Sequence, residues 1–234
     1  MLIAICDDAF MQLLAIKKNI EDCFLKQSII PTIKAYTDPE QLLEESKALK
    51  FDALFLDIDM PIKGFDVADE IASRNPHVFV IYVTNYRSLA KISIRHYAFR
   101  FIEKNNIDDF EEAVTSLCET FRKINTRVST ESGDSISLSQ IIYISAGARY
   151  ANIHTEHGVF RSPLSLSENE EKYKDDGIVR ISRSKLVNLY FVDAISKDCV
   201  ILSNKEELKV SRSLRSKILG QFYEYYKKRT DNCK

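Results

Sequence analysis

The feature that most constrains this chain is the stretch at residues 51–61, in which an apolar run leads to Asp57 and then breaks at Met60-Pro61. A short apolar run with charge at its exit is typical of a strand buried on both faces of a parallel sheet. Asp57 is then predicted to stand at the carboxyl edge of the sheet, where open α/β sheets bind ligands. Taken alone, Asp57 could also be an ordinary loop cap.

Three other predicted strands also end in polar side chains: Asp7 and Asp8 follow residues 2–6, Thr84 follows residues 78–83, and Lys104 follows residues 99–102. Because parallel strands end at one edge of their sheet, we expect these side chains to converge with Asp57. Amphipathic runs between the strands predict helices, including one at about residues 88–96. The alternation of strand and helix predicts an α/β domain with helices on both faces of a parallel sheet.

The character of the chain changes after about residue 122. Residues 1–122 contain 14 Lys and Arg against 20 Asp and Glu, a net charge of −6, whereas residues 123–234 contain 19 against 14, a net charge of +5. The acidic half suits a divalent cation and the basic half a polyanion such as nucleic acid. Short apolar runs, one of them at residues 187–196, predict an all-β second domain that ends in a helix. We predict domains at 1–122 and 129–234, joined by a linker at 123–128.

The cysteines indicate a reducing compartment. All five lack a CxxC spacing, and none stands at metal-ligand spacing from a histidine, so we expect free thiols in a cytoplasmic protein. The first strand begins at Leu2 without a basic, apolar leader, and no apolar run approaches membrane length. Neither secretion nor membrane insertion is expected.

The first half resembles the receiver domain of two-component response regulators. The resemblance covers about residues 1–122 and rests on an ordered set: the acidic pair, an aspartate followed by Met-Pro and Gly64, a threonine and a lysine. It implies a flavodoxin-like, five-stranded, doubly wound sheet. It also implies that Asp57 is the phosphoacceptor, assisted by Thr84 and Lys104, and that Phe101 is a switch residue.

A cation is expected beside the phosphoacceptor. Three neighbouring carboxylates repel one another unless a cation lies among them, so Asp7, Asp8 and Asp57 predict an oxygen-ligand Mg²⁺ site. The family adds the backbone carbonyl of Asp59 as a further ligand. Thr84 could instead cap the next helix, and Phe101 could be an ordinary core residue.

Two positions depart from the receiver pattern. The family usually has a proline after the lysine, joined by a cis peptide bond, but here Asn105 follows Lys104. A cis bond before a residue other than proline costs about 2.5–4 kcal/mol, so we expect a different loop. Asn85 stands where the family usually has a small residue, and it is expected to screen the phosphoryl group from water.

The second half resembles the LytTR DNA-binding domain over about residues 129–230. The motifs that carry the resemblance are Ile-Ile-Tyr-Ile at 141–144, Arg-Ile-Ser-Arg-Ser-Lys-Leu-Val-Asn at 180–188 and Val-Ser-Arg at 210–212. The family implies about ten short strands and a C-terminal helix, with DNA read through loops. The base-reading positions that it implies are Arg149 with Tyr150, Arg183, Arg212 and Arg215. Lys185, Lys209 and Lys217 are expected to contact phosphates, although any one of these cations could be a solvated surface charge.

The combined reading is a cytoplasmic response regulator rather than an enzyme. We expect a partner sensor histidine kinase to phosphorylate it, and the phosphorylated homodimer to bind promoter DNA at repeated sites. One alternative is an aspartate-nucleophile phosphatase of the haloacid dehalogenase type, because Asp57 and Asp59 form a DxD motif. That family needs its acidic pair on a further strand, whereas Asp108 and Asp109 follow Lys104 closely. The other alternative is a DNA-binding regulator whose receiver only dimerises.

Overall fold

The computed structural model describes residues 1–85, 98–196 and 198–230. The chain divides into two compact units, and the first boundary lies between Glu119 and Thr120. The helix predicted at residues 88–96 lies outside the described residues. Within the described ranges, no helix is both long and apolar enough to cross a lipid bilayer.

The first unit is a parallel sheet with helices between its strands. Its strands are β1 (Leu2–Cys6), β2 (Thr32–Tyr36), β3 (Ala53–Asp57), β4 (Phe79–Thr84) and β5 (Ala98–Glu103), and its described helices are α1 (Phe10–Lys26), α2 (Pro39–Glu45), α3 (Gly64–Arg74) and α4 (Ile107–Ile124). The strand order is β2-β1-β3-β4-β5, with every pair parallel, which confirms the predicted α/β class. β2 begins at Thr32, directly after Pro31, which has no N–H to donate to the sheet.

The central strand explains where the polar residues can lie. Every residue of β3 is buried. Leu54 and Leu56 belong to an apolar cluster that also contains Val67 and Ile71 of α3. A polar side chain on such a strand is accessible only at its end, and Asp57 occupies that position.

The second unit is built from short antiparallel strands. The ten strands in its described part are β6 (Arg127–Ser129), β7 (Ser135–Ser137), β8 (Ile141–Ala146), β9 (Ala151–Thr155), β10 (Gly158–Ser162), β11 (Ile178–Ser182), β12 (Lys185–Asn188), β13 (Val192–Ile195), β14 (Cys199–Leu202) and β15 (Glu207–Lys209), and its helices are α5 (Leu166–Tyr173) and α6 (Arg215–Thr230). They form a five-stranded sheet in the order β10-β9-β8-β12-β11, a three-stranded sheet β13-β14-β15 and the pair β6-β7. The predicted β-rich domain with a C-terminal helix is confirmed.

Two apolar clusters share the five-stranded sheet. One joins Ile144 and Leu186 of the sheet to Leu166 of α5, and the other joins Val187 of the sheet to Leu202 of the three-stranded sheet and Ile218 of α6. Leu186 and Val187 are neighbours on one strand, so their side chains point to opposite faces. The five-stranded sheet is therefore covered on both faces.

The single strand predicted at residues 187–196 is wrong. A 3₁₀ turn at Leu189–Phe191 separates β12 from β13. Its start is fixed by the buried Asn188, whose side-chain oxygen accepts from the backbone N–H of Tyr190 at 3.1 Å and whose amide donates to the carbonyls of Leu138 and Ile141 at 3.0 and 2.8 Å. The last residue of the 180–188 motif is thus a structural cap.

The segment predicted as a linker is ordered. Residues 123–128 comprise the end of α4, the connecting residues Asn125 and Thr126, and the start of β6. Val128 is buried in the second unit, and the Ser137 hydroxyl donates to the carbonyl of Ile124 at 3.1 Å.

Candidate functional site

Three carboxylates meet at the carboxyl edge of the parallel sheet. Asp7 follows β1 directly, and Asp57 is the last residue of the neighbouring β3. Asp7, Asp8 and Asp57 each offer a carboxylate oxygen, and these oxygens all lie within 4.8 Å of one another. Asp7 and Asp57 are buried, whereas Asp8 is exposed. These three carboxylates therefore converge, as strand geometry predicts.

Lys104 places a positive charge between two of these carboxylates. Its Nζ donates to Asp57 Oδ2 at 2.8 Å and makes an ion pair with Asp7 Oδ2 at 2.7 Å that lacks hydrogen-bond geometry. Nζ also donates to the side-chain oxygen of Gln12, on the first turn of α1. The backbone N–H of Lys104 donates to the carbonyl of Thr84 at 3.0 Å. No sequence pattern indicated Gln12, because its contact with Lys104 joins residues far apart in the chain.

The ionisation of the pair follows from burial and charge. Burial alone would lower the pKa of Lys104, but its close contacts with Asp57 and Asp7 and the charges of both carboxylates outweigh it, so the pKa of Lys104 is raised. Burial raises the pKa of Asp7, against the opposing effect of Lys104. Asp7 Oδ1 accepts from the backbone N–H of Ala9 at 2.9 Å.

The two oxygens of Asp57 have different surroundings. Oδ1 accepts from the backbone N–H of Ile58 at 2.7 Å and of Asp59 at 3.4 Å. Oδ2 faces the ammonium of Lys104. The side chain of Asp59 is exposed and pairs with Lys63 at 2.5 Å, and this neighbour lowers the pKa of Asp59. The group of Asp59 that the receiver resemblance implies as a ligand is its backbone carbonyl, which stays a prediction.

Thr84 and Phe101 lie on the neighbouring strands. Thr84 is buried at the end of β4 and comes one residue after Val83, which is in register with Asp57. Phe101 is half-buried on β5, and its ring centroid lies 5.0 Å from that of the fully buried Tyr82. Phe101 packs against the apolar cluster that contains Leu54 and Leu56, so its side chain faces the core.

The loop after Lys104 is held by side chains in place of a proline. No cis peptide bond occurs in the described ranges, which include the bond between Lys104 and Asn105. Asp109 accepts from the backbone N–H of Glu103 at 3.1 Å and from the Asn106 amide at 2.8 Å. Asn106 in turn accepts from the backbone N–H of Asp108 at 3.1 Å. These bonds close the turn that carries Lys104.

Gly64 is required where α3 begins, next to the backbone of Asp57. A Cβ at this position would lie 2.1 Å from the Asp57 carbonyl oxygen. We therefore expect Gly64→Ala to lower the free energy of unfolding by about 1–3 kcal/mol, because the backbone behind Asp57 has to move. The measurement is urea unfolding of the full chain.

The matched control is Gly220→Ala. An added Cβ at Gly220, within α6, meets no atom within 4 Å. Because alanine is the better helix former, Gly220→Ala should raise the free energy of unfolding by up to about 1 kcal/mol. Equal unfolding free energies for Gly64→Ala and the unmodified protein would contradict the predicted clash.

The second unit brings three basic segments to one end of its five-stranded sheet. We call this the basic end: the β8–β9 loop at 147–150, the β11–β12 turn at 183–184 and the segment 211–212. The backbone N–H of Ala146 donates to the carbonyl of Ser184 at 2.8 Å, and that of Ser211 donates to the carbonyl of Ile181 at 2.9 Å. The turn is thus hydrogen-bonded to the last residue of β8, and the segment 211–212 is hydrogen-bonded to β11.

The cations that the sequence analysis assigned to DNA contacts differ in exposure. Arg149, Arg183 and Arg212 are exposed, and the Arg149 guanidinium lies 5.3 Å from the ring centroid of the half-buried Tyr150. Lys185 is half-buried, with its Nζ 5.1 Å from the ring centroid of Tyr143. Lys209 and Lys217 are exposed.

Arg215 differs from the three exposed arginines. It is half-buried at the start of α6, and its Nε is buried without a hydrogen-bond partner. Part of this guanidinium therefore faces the protein interior. Arg215 is the least exposed of the four arginines that the sequence analysis assigned to base reading.

Two family models match the chain. The model described as the response regulator receiver domain matches residues 3–115, and the model described as the LytTr DNA-binding domain matches residues 135–222. Among curated proteins, the chain is similar to the CO-responsive transcriptional regulator RcoM of Rhodospirillum rubrum, with 33% identity over 67 residues. That match covers 29% of this chain and 28% of the relative's length.

Solved structures resemble each unit separately. The response regulatory domain of mrkE from Klebsiella pneumoniae is 21% identical and has a TM-score of 0.45, over 53% of this chain and 99% of that one. A LytTr DNA-binding domain from Bacillus cereus is 24% identical and has a TM-score of 0.34, over 44% of this chain and 94% of that one. The two family models therefore match in succession along the chain, the response regulator receiver domain at residues 3–115 and the LytTR DNA-binding domain at residues 135–222.

Proposed function

We propose that this chain is a cytoplasmic two-component response regulator that is phosphorylated on Asp57 and regulates transcription by binding promoter DNA. The single observation that supports the proposal most is the position of Lys104 Nζ, 2.7 Å from Asp7 Oδ2 and 2.8 Å from Asp57 Oδ2. A carboxylate beside a fixed ammonium at a sheet edge can act as a nucleophile toward a phosphoryl group. The phosphodonor is a phosphohistidine of a sensor histidine kinase.

Asp57, Lys104 and Thr84 have different roles in phosphoryl transfer. Asp57 Oδ1 is held by backbone N–H groups, so Oδ2 is the oxygen that attacks phosphorus. The new P–O bond forms as the P–N bond to the donor imidazole breaks, and the imidazole nitrogen takes up a proton. Lys104 balances charge on the phosphoryl oxygens, and the Thr84 hydroxyl donates to one of them after transfer.

The carboxylate cluster fits a divalent cation. Asp7, Asp8 and Asp57 supply hard oxygen ligands within 4.8 Å of one another, which suits Mg²⁺, and the backbone carbonyl of Asp59 would be a further ligand. When bound, Mg²⁺ neutralises charge on the transferring phosphoryl group. The exposed Asp8 gives the cluster an open side toward solvent.

Phosphorylation controls the second unit through dimerisation. Phe101 packs against Tyr82, which lies two residues before the end of β4, and it transmits the rearrangement that follows phosphorylation. The receiver face that includes β5 and α4 then pairs two copies of the chain. Two linked DNA-binding units on repeated sites have a high effective concentration, which raises affinity without a new base contact. Arg149 with Tyr150, Arg183, Arg212 and Arg215 read bases, and Lys185, Lys209 and Lys217 contact phosphates.

The phosphatase alternative is disfavoured by the placement of the acidic residues. Asp109, which that reading needs in the site, is used in the hydrogen bonds that close the turn after Glu103. Asp7 and Asp8, from the first strand, are the ones that join Asp57. A regulator whose receiver only dimerises would not need Lys104 to reach both carboxylates.

The test is footprinting of promoter DNA by the full chain with and without acetyl phosphate and Mg²⁺. Treated protein should protect a repeated site at lower concentration than untreated protein, because two linked units bind together. Sedimentation on the same samples should show the mass doubling on treatment. A dimer that protects DNA equally in both conditions would favour the regulator that does not depend on phosphate.

A further inference from the structure

Arg183 stands on a turn that directly follows an irregularity in β11. The turn joins β11 to β12, where Ser182 pairs with Lys185 and leaves Arg183 and Ser184 as the two turn residues. The pairing shifts register between Arg180 and Ser182, which is a β-bulge. Bulges bend a strand and re-aim its side chains, so the direction of Arg183 depends on what holds this irregular backbone.

Arg180 binds that backbone from inside the unit. Its Nη1 donates to the carbonyl of Arg183 at 3.2 Å. Its Nε donates to Glu170 of α5 at 2.5 Å, and its Nη2 donates to the Ser167 hydroxyl at 3.3 Å. All three guanidinium nitrogens therefore have partners, and one guanidinium joins the turn to α5.

Burial separates Arg180 from the exposed arginines. The side chains of Arg180 and Glu170 are 18% and 28% exposed, whereas Arg183 is an exposed residue. An ion pair of this kind is screened less by salt than a fully exposed one. The planar fork of arginine can serve two acceptors in fixed directions, which a lysine ammonium on a flexible stem cannot reproduce.

We propose that Arg180, fixed by Glu170, is a positioning residue that sets the direction in which Arg183 meets a base. The proposal rests on the proposed DNA-binding function. In this proposal Arg180 itself contacts no DNA, because Nε, Nη1 and Nη2 each donate to a partner within the unit. Glu170 acts through Arg180, so a negative residue on α5 supports the recognition of a polyanion.

Two substitutions test this in the full chain. Arg180→Lys keeps the charge and loses the fork, and Glu170→Ala releases Arg180. Each should weaken binding to the specific duplex by roughly tenfold, since forked base contacts supply discrimination of that order, and change binding to the scrambled duplex by less than about twofold. The specific duplex carries the sequence that the unmodified chain selects from a random pool, and the scrambled duplex has the same composition.

Lys205→Ala is the matched control, because it removes a cation and its ion pair with Asp193, 3.0 Å away, at the turn between β14 and β15. It should leave the ratio of the two affinities unchanged. If Glu170→Ala instead tightens binding to both duplexes, Arg180 is itself a DNA contact and the proposal is wrong. Equal losses of affinity for both duplexes, together with a lower urea midpoint, would mean that the Arg180–Glu170 pair only stabilises the fold, and the proposal would be wrong.

A second measurement needs no DNA. Deuterium uptake by a peptide covering residues 180–187 should become faster in Arg180→Lys and Glu170→Ala, while peptides from β8 and β9 exchange as before. Unchanged uptake in this peptide would overturn the positioning role. If the unmodified chain fails to distinguish the duplexes, the DNA-binding function fails, and the uptake measurement still decides whether Arg180 holds the turn.

Discussion

Asp57→Asn should abolish the addition of a phosphoryl group from acetyl phosphate and Mg²⁺. The amide keeps the shape of the side chain but removes the nucleophilic charge of Oδ2, which lies 2.8 Å from Lys104 Nζ. The expected result is all or none, because Asp7, the other carboxylate beside this ammonium, is fully buried and is expected to act as a cation ligand. Intact-mass measurement of the treated full chain, which should gain one phosphoryl group, is the readout.

The control is Asp22→Asn, which makes the same chemical change at an exposed carboxylate near the far end of α1 and should leave labelling complete. Asp8→Asn should lose labelling as well, since it removes one of the clustered cation ligands. Undiminished labelling of Asp57→Asn, or loss of labelling in Asp22→Asn, would contradict the assignment of the phosphoacceptor.

Arg183→Ala should weaken binding to the specific site by about 1–3 kcal/mol and have little effect on random DNA. Arg183 is exposed on the β11–β12 turn, with its guanidinium available as a forked donor. A forked donor pair on a base edge supplies about that much discrimination. The measurement is titration of specific and scrambled duplexes at several salt concentrations.

Lys217→Ala provides the contrast. This exposed lysine of α6 is cast as a phosphate contact, so its loss should weaken binding to both duplexes and lower the salt slope by about one unit. Equal losses on both duplexes for Arg183→Ala would make Arg183 a phosphate contact. Arg149 and Arg212 would then be the base-reading candidates.

The part of the site that could be predicted from the sequence follows from strand geometry. Buried parallel strands end at one edge, so polar residues after four apolar runs had to converge, and Asp7, Asp57 and Lys104 do. Periodicity could not indicate Gln12, because its contact with Lys104 depends on how α1 packs on the sheet.

The difference between local pattern and tertiary packing also explains which predictions failed in the second half of the chain. Residues 187–196 have strand-like composition throughout, and only the buried side chain of Asn188 shows why the strand stops there. The sequence motif contained Arg180 without indicating its contact with Glu170, which lies ten residues earlier on a helix. Contacts that depend on tertiary packing are therefore the ones that pattern alone could not supply.

The two bonds that tie the basic end together, from Ala146 to Ser184 and from Ser211 to Ile181, join backbone to backbone. They do not depend on which side chains the neighbouring loop positions carry. Replacing Arg149, Arg183 or Arg212 therefore leaves these two bonds in place, and under the proposed function a new base preference needs only an exchange of side chains. Because the backbone that these bonds join is ordered before DNA arrives, association loses little conformational entropy in those segments.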